Sequence, residues 1–353
     1  MECRVEKKTI KTKSPMPSVV VIIPYYNGSA YIERAIESVL SQTIPAKEFI
    51  IVNDGSNETE TVFLREVANR YNVRVLDKEN GGQGSARNAG VAASTSDCIC
   101  FLDQDDFYLK THIQTLAEAI PDNDPNFGWV YGDLVEADGD GNVVRTSMVR
   151  ELGVHPKTHI MDLLRNDMFI LPSASLISRI AFEDVGGFDS QFMGYEDDDL
   201  FMRLFRKNYT NTFVPKSVTV WCIHTNSTSY SIRMSRSRLR YFKKLVAAFP
   251  DDIIKQRFFM QDVFVPRFHI QFINEVMTAV LDERSKLAAH RQELIEIFDE
   301  YAEIVCSLPT VSKSLRRKIV MRQKLIAANS SALISASLAG VRTLRRVKEI
   351  LRR

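Results

Sequence analysis

Two runs of acidic side chains carry the chemistry available to this sequence. The first follows five apolar residues, Cys98-Ile99-Cys100-Phe101-Leu102, and reads Asp103-Gln104-Asp105-Asp106. A short continuous apolar run marks a buried strand, and unpaired charge does not extend into a core, so the strand is expected to surface at Asp103. Three carboxyls this close repel one another unless a cation sits among them. Asp103 and Asp105, flanking one residue at a strand end, suit a hard ion such as Mg²⁺ or Mn²⁺ shared with a substrate phosphate. The plainer alternative is an acidic turn in which Asp106 caps the next helix. The second run is Glu196-Asp197-Asp198-Asp199, at a predicted helix start. The helix dipole favours one or two acids there, hardly four. Glu196 and Asp199 would share a helix face, with Arg203 pairing Asp199 at i+4. That leaves Asp197 and Asp198 for other work.

The elements that must position these acids are predicted from hydrophobic runs. Residues 18–23 predict a buried strand ending at Pro24, followed by the turn Tyr25-Tyr26-Asn27-Gly28. A helix capped near Ser29 would then set Ile32, Ile36, Val39 and Leu40 on one face. Phe49–Val52 predicts a second strand, ending at Asn53-Asp54-Gly55-Ser56, and a helix with Phe63, Leu64, Val67 and Tyr71 inward. A third strand, Val73–Leu76, ends at Asp77-Lys78-Glu79-Asn80 and leads into the glycine-rich stretch Gly81–Gly90. Strands alternating with helices through short connections predict an α/β fold with a parallel sheet covered on both faces. Tyr25/Tyr26/Asn27, Asp54, Lys78/Glu79 and Asp103/Asp105 all fall just after a strand's carboxyl end, the edge where open parallel sheets bind ligands.

The Gly81–Gly90 stretch is a poor dinucleotide fingerprint, because Arg87 stands where a glycine or alanine is needed. As a turn it is able to present backbone N–H groups and Arg87 to a pyrophosphate, or simply to begin a helix. Farther along, Phe127–Val135 and Val218–Ile223 read as strands and Ile160–Leu164 as a short helix; from about residue 233 the pattern is helical. The second of these strands ends at His224, either a structural histidine or a ligand.

Composition is that of a globular chain: 353 residues, 45% hydrophobic and 25% charged, with a net charge of +2. The charge is uneven. Residues 311–353 hold twelve Lys/Arg and one acid, Glu349, a net of +11 that leaves −9 for residues 1–310. The basic end carries the stripe Ile334, Leu338, Val341, Leu344, which fits either a helix lying on an anionic membrane surface or packing against acidic protein. It lacks the interleaved aromatics of a single-strand nucleic-acid binder, so no nucleic acid is expected. Five scattered cysteines show neither a disulfide framework nor zinc spacing, which points to a reducing compartment. Residues 1–16 lack an apolar signal core, and no stretch of eighteen apolar residues predicts a span.

Taken together, Val21-Ile22-Ile23-Pro24-Tyr25-Tyr26-Asn27, Val52-Asn53-Asp54-Gly55-Ser56, Gly84–Gly90, Leu102-Asp103-Gln104-Asp105-Asp106, Gly186-Gly187-Phe188-Asp189 and Gly194–Leu200 resemble, in order and spacing, a glycosyltransferase of family 2 with the GT-A fold. The resemblance covers roughly residues 18–230. It implies an inverting, metal-dependent transferase that moves a sugar from a UDP-sugar to a hydroxyl of a glycan or lipid-linked glycan, as in bacterial surface polysaccharide synthesis. Pro24, Tyr25, Asn27 and Asp54 would hold the uracil, with Arg87 near the nucleotide. Asp103 would contact the ribose, Asp105 the Mg²⁺ or Mn²⁺ on the diphosphate, and His224 would complete that site. The base would be Asp197, with Glu196 and Asp198 as alternatives within the same run. A GT-A domain over 18–232 would follow a tail at 1–17 and precede a helical region over 233–353, in a cytoplasmic protein lying on the inner face of the membrane. Transfer to a lipid phosphate and sugar nucleotidyl transfer are the competing activities. The second expects a glycine-rich basic loop after the first strand, where this chain has Pro-Tyr-Tyr-Asn-Gly. A non-catalytic binding module would be expected to lose the second acidic run, which is present. The sugar donated, the linkage and the oligomeric state are not legible.

Overall fold

The strand β1 (Val19–Tyr25) is buried at every position, as a run of Val-Val-Val-Ile-Ile requires when both sheet faces are covered. The computed structural model describes residues 16–223 and 231–327. His224 and the stripe 334–344 lie outside them.

β1 pairs in parallel with β2 (Glu48–Asp54) and β4 (Cys98–Phe101), and β2 in parallel with β3 (Arg74–Lys78). Ile22 stands opposite Ile50 on one side and Phe101 on the other. The crossovers are α1 (Ile32–Leu40), α2 (Glu58–Tyr71) and α3 (Gln83–Ala92). α3 lies so close on the sheet that a Cβ on Gly90 would meet Ile22 Cγ2 at 2.5 Å, which explains a glycine inside a helix.

The nine-stranded sheet runs β3-β2-β1-β4 and continues through β8 (Ser175–Ser178), β6 (Phe127–Asp138), β9 (Thr210–Ile223) and β5 (Phe107–Tyr108), with β7 (Val143–Arg145) beside β6. β8 pairs antiparallel with β4 and with β6, β7 with β6, and β5 with β9. The expected parallel sheet is therefore its first half. Helices stand between these later strands too: α4 (His112–Glu118) between β5 and β6, and α6 (Arg179–Asp184) between β8 and β9.

Local differences are small. β1 continues through Pro24, whose lack of an N–H costs nothing at a strand end beside the crevice. Ser29 is not the cap of α1; it donates to Glu60 through both its hydroxyl (2.8 Å) and its N–H (3.0 Å). Leu40 is exposed and Ala35 takes the inward place. α2 is capped by Asn57, which accepts from Glu60 N at 3.0 Å. Cys98, Cys100 and Cys222 are buried free thiols, and burial pushes Cys98 up to about 12.

A second compact unit gathers 157–169, 188–202 and the chain from Ile223. Its helices are α5 (Ile160–Leu164), the first turns of α7 (Glu196–Arg206), α8 (Ile232–Ala248), α9 (Val265–Leu281), α10 (Arg291–Ser307) and α11 (Lys313–Ala327). Phe242, Phe268, Phe272, Phe298 and Tyr301 form its aromatic core. The two inserted segments join this unit because polar side chains of the later helices hold them. Arg267 donates to the carbonyls of Leu163 and Leu164, and Lys244 pairs with Asp189 and Asp199. No helix among the described residues is long and apolar enough to cross a membrane.

Candidate active site

The order of the sheet reverses at β1 and β4, since β2 and β3 lie on one side of β1 and the chain then returns to its other side. Such a reversal opens a crevice at the carboxyl ends of the strands. Four loops meet there, and hydrogen bonds tie each to the next. Asn27 N donates to Ser56 Oγ (3.1 Å) and Asn27 Oδ1 accepts from Asn57 N (3.1 Å), joining the first loop to the second. Asp54 accepts from Gly81 N (2.9 Å), Gly82 N (2.8 Å) and Lys78 Nζ (2.6 Å), joining the second to the third. Gln83 Nε2 (2.5 Å) and Arg87 Nη2 (2.6 Å) donate to Asp103, joining the third to the fourth. Gln104 closes the circle, accepting from Tyr26 N (2.9 Å) and donating to Tyr26 O (3.2 Å).

This circle changes what several residues do. Asp54 is buried and its carboxylate is filled by the glycine-rich loop, so the N–H groups of Gly81 and Gly82 point to Asp54 rather than outward to a phosphate. Arg87 lies buried beneath Asp103 with its guanidinium over the Phe101 ring, and orients that carboxylate. Pro24 and Tyr25 sit in the core. Tyr25 donates to Glu60 Oε2 at 2.5 Å, and burial, with that carboxylate beside it, raises its pKa. The aromatic ring exposed in this turn is that of Tyr26, at 46%. Asn27 is exposed and takes the left-handed conformation (φ 48°) that asparagine tolerates. Lys78 was legible as one member of a polar cluster. Gln83, Gln104 and Glu60 were not read from sequence, because neutral or scattered polar residues give no signal until loops distant in sequence meet.

At the reversal, Asp103 and Asp105 are half-buried, while Asp106 is only 2% exposed. A carboxyl does enter the core here, against the sequence expectation. Cys222 N donates to Asp106 Oδ1 at 2.9 Å, and Oδ2 has no partner among the described residues. Burial, then the charges of Asp105 and Asp103, hold the Asp106 carboxyl well above the usual carboxylate range. An all-oxygen, acid-rich edge with one orphaned buried oxygen fits a hard divalent ion. Among the described residues no three His, Cys, Asp or Glu side chains converge on such an ion. It would rest on one or two carboxylates and draw its other ligands from phosphates and water, the habit of Mg²⁺.

The second acidic run, in the helical unit, sorts its four members. Gly194 (φ +115°) and Tyr195 (φ 64°) deliver the chain into α7, and a Cβ on Gly194 would meet Met234 Sδ at 2.8 Å. A tyrosine held at positive φ is a conformation that persists only where its surroundings enforce it. Here its ring stacks on Tyr241 and Arg238 Nε donates to its hydroxyl at 3.0 Å. Glu196 is buried and accepts from Gly194 N at 2.7 Å. Asp198 is buried against Arg267 Nη2 at 2.5 Å. Its burial raises its pKa, and Arg267 opposes the rise. Asp199 is buried against Lys244 Nζ at 2.6 Å. Asp197 alone of the four is not buried; its Oδ1 accepts from Asp198 N at 2.8 Å. Arg203 donates to the carbonyls of Val185 and Gly187, which fixes the turn before the run.

The Asp198–Arg267 pair is a structural element with a measurable weight. Arg267→Met keeps the aliphatic stem and leaves Asp198 buried without its cation. It is expected to destabilise the helical unit by about 3–5 kcal/mol. Urea unfolding measures this, and adding Asp198→Asn is expected to restore part of the loss. A single-variant effect under about 1 kcal/mol, the size of an exposed pair, would deny the pair this role.

A doubly covered sheet with linked loops at its order reversal and paired acids on that edge is an α/β domain of GT-A type. Residues 20–186 match the profile of Glycosyl transferase family 2, and residues 171–225 that of the N-terminal domain of galactosyltransferase. Over this domain the chain is similar to glycosyltransferase family 2. An uncharacterised glycosyltransferase of Rickettsia conorii is 33% identical over 195 residues, which are 53% of this chain and 31% of that protein. The chain thus spans about a third of the length of the first curated relatives it matches. Among solved structures, S. aureus TarS in complex with UDP-GlcNAc superposes with a TM-score of 0.62 at 16% identity, over 92% of each chain. The mannosyltransferase PcManGT from Pyrobaculum calidifontis, in complex with GDP-Man and Mn²⁺, superposes with a TM-score of 0.51 at 18% identity, over 92% of this chain and 87% of that one. At these identities the likeness speaks for the fold.

Proposed function

We propose that this chain is an inverting, metal-dependent glycosyltransferase that moves a sugar from a UDP-sugar to a hydroxyl of a glycan or lipid-linked glycan acceptor. The observation that carries the reading is the circle of hydrogen bonds at the sheet's order reversal, which holds Asp103 in place beside Asp105. In this reading Asp103 binds the donor's ribose, and Asn27 with Asp54 frames the base, Asp54 through the loop it holds. Tyr26 is the ring available for stacking in the place first given to Tyr25. Asp105, with His224, would hold a divalent ion, which when bound would supply positive charge to the departing diphosphate.

Asp197 takes the proton of the acceptor hydroxyl as that oxygen bonds to the anomeric carbon. The bond from that carbon to the diphosphate breaks, the electron pair leaves with UDP, and attack from the opposite face inverts the configuration. The sugar passes through an oxocarbenium-like transition state, as in glycoside hydrolysis. The nucleotide sugars in the TarS and PcManGT structures support a nucleotide-sugar donor, and the Mn²⁺ in PcManGT supports a divalent ion. We extend the reading to a peripheral position on an anionic membrane, through the basic residues after 311.

A screen of UDP- and GDP-sugars, measuring nucleotide release with and without Mn²⁺, tests the proposal. Metal-dependent release of UDP from one UDP-sugar, raised by a glycan acceptor, is the expected result. Release of GDP alone would move the donor, and no release from any sugar nucleotide would remove the activity.

A further inference from the structure

The helical unit leaves apolar side chains in water at a place where its own packing gives no use for them. After α8 the chain doubles back between Asp252 and Arg257, whose backbones exchange hydrogen bonds at 2.8 and 2.9 Å. The tip of this turn carries Ile253 at 65% exposure and Ile254 at 95%. The turn is close to neutral, because Asp251 and Asp252 are matched by Lys255 and Arg257, and Lys255 lies 3.5 Å from Asp252. Its base is tied to the start of α11: Thr310 donates to Asp251, and Ser312 N donates to Gln261 Oε1 at 2.9 Å.

α11 turns Ile319 and Ile326 inward. Its opposite face, at the spacing i, i+4, i+7, i+8 and i+11, is Lys313, Arg317, Val320, Met321 and Lys324, all exposed. The helix holds six Lys/Arg and no acid. Two large apolar residues on a protruding neutral tip, beside an acid-free basic face with its own exposed Val320 and Met321, make a surface of mixed character. The two isoleucines also line, with Phe249, Pro250 and Phe259, an open cavity of about 630 Å³.

We infer that the Ile253–Ile254 tip and the outer face of α11 together rest on an anionic lipid bilayer. The isoleucines enter the boundary of the acyl chains while Lys313, Arg317 and Lys324 meet the headgroups. This deepens the peripheral-membrane part of the proposed function by giving it a surface, and it does not depend on the transfer activity.

Co-sedimentation of the full chain with phosphatidylglycerol/phosphatidylcholine vesicles, and with phosphatidylcholine alone, tests it. The chain is expected to bind the anionic vesicles at low salt, to bind the neutral ones poorly, and to be released as salt screens the charges. Ile253→Asp with Ile254→Asp is expected to weaken binding tenfold or more. Both side chains face solvent, so the melting temperature and nucleotide release should stay unchanged. Lys313→Glu, Arg317→Glu and Lys324→Glu together should weaken the preference for anionic lipid tenfold or more. If the unaltered chain ignores anionic vesicles, both the peripheral reading and this surface fail. If it binds and the isoleucine variant binds equally well, the tip is wrong and the basic region alone survives. If the chain self-associates without lipid and the isoleucine variant is monomeric, the surface belongs to a second copy of the chain.

Discussion

Asp197→Asn is expected to lower turnover about a hundred-fold or more, the usual weight of a positioned general base, with little change in donor affinity. The substitution preserves size and still lets the side chain accept the Asp198 N–H, so the helix start keeps its hydrogen bond. What it removes is a carboxylate able to take a proton. The neighbours are committed elsewhere: Glu196 to Gly194 N, Asp198 to Arg267 and Asp199 to Lys244. Asp198→Asn is therefore expected to act first on stability, and Glu196→Gln on the turn at Gly194. Steady-state rates with the donor identified by the screen, alongside melting temperatures, separate these effects. A nearly active Asp197→Asn enzyme beside a folded but inactive Glu196→Gln enzyme would move the base to Glu196.

Asp105→Ala is expected to abolish transfer while leaving the fold intact, with EDTA producing the same loss in the unaltered chain. The side chain lies half-buried at a strand end, and Arg34 Nη2 donates to the Asp105 carbonyl at 3.0 Å. Alanine keeps that carbonyl and withdraws one oxygen ligand. The buried Asp106 keeps its bond from Cys222 N, so the β4 end should hold its shape. The measurement is activity across a Mn²⁺ titration, together with the thermal shift that Mn²⁺ and UDP produce in the protein. The shift is expected to vanish in the variant while the melting temperature without ligand stays level. Full activity of the unaltered chain in EDTA would remove the metal from the proposal.

Part of this protein was legible in its sequence for reasons of local chemistry. Val-Val-Val-Ile-Ile and Cys-Ile-Cys-Phe are strands buried on both faces because nothing in them tolerates water, and the polar clusters mark the strands' carboxyl ends because charge stops where the core stops. The glycine-rich stretch was legible as a helix start, and the four acids as an excess beyond what a helix dipole favours. What these residues do was decided by chain arriving from far away. Asp106 is buried because Cys222, more than a hundred positions later, brings it an N–H. Asp54 faces Gly81 and Gly82 instead of open crevice because β2 and β3 are neighbours in register. Tyr25 turns into the core because Glu60, on the helix after the next strand, waits for its hydroxyl. Among Glu196, Asp197, Asp198 and Asp199 the types are equivalent and their order says nothing. Only Arg267 on α9 and Lys244 on α8, by neutralising two of them in the interior, leave Asp197 as the acid that meets solvent. A carboxylate's role depends on which charge and which N–H reach it, and that is a property of tertiary contacts.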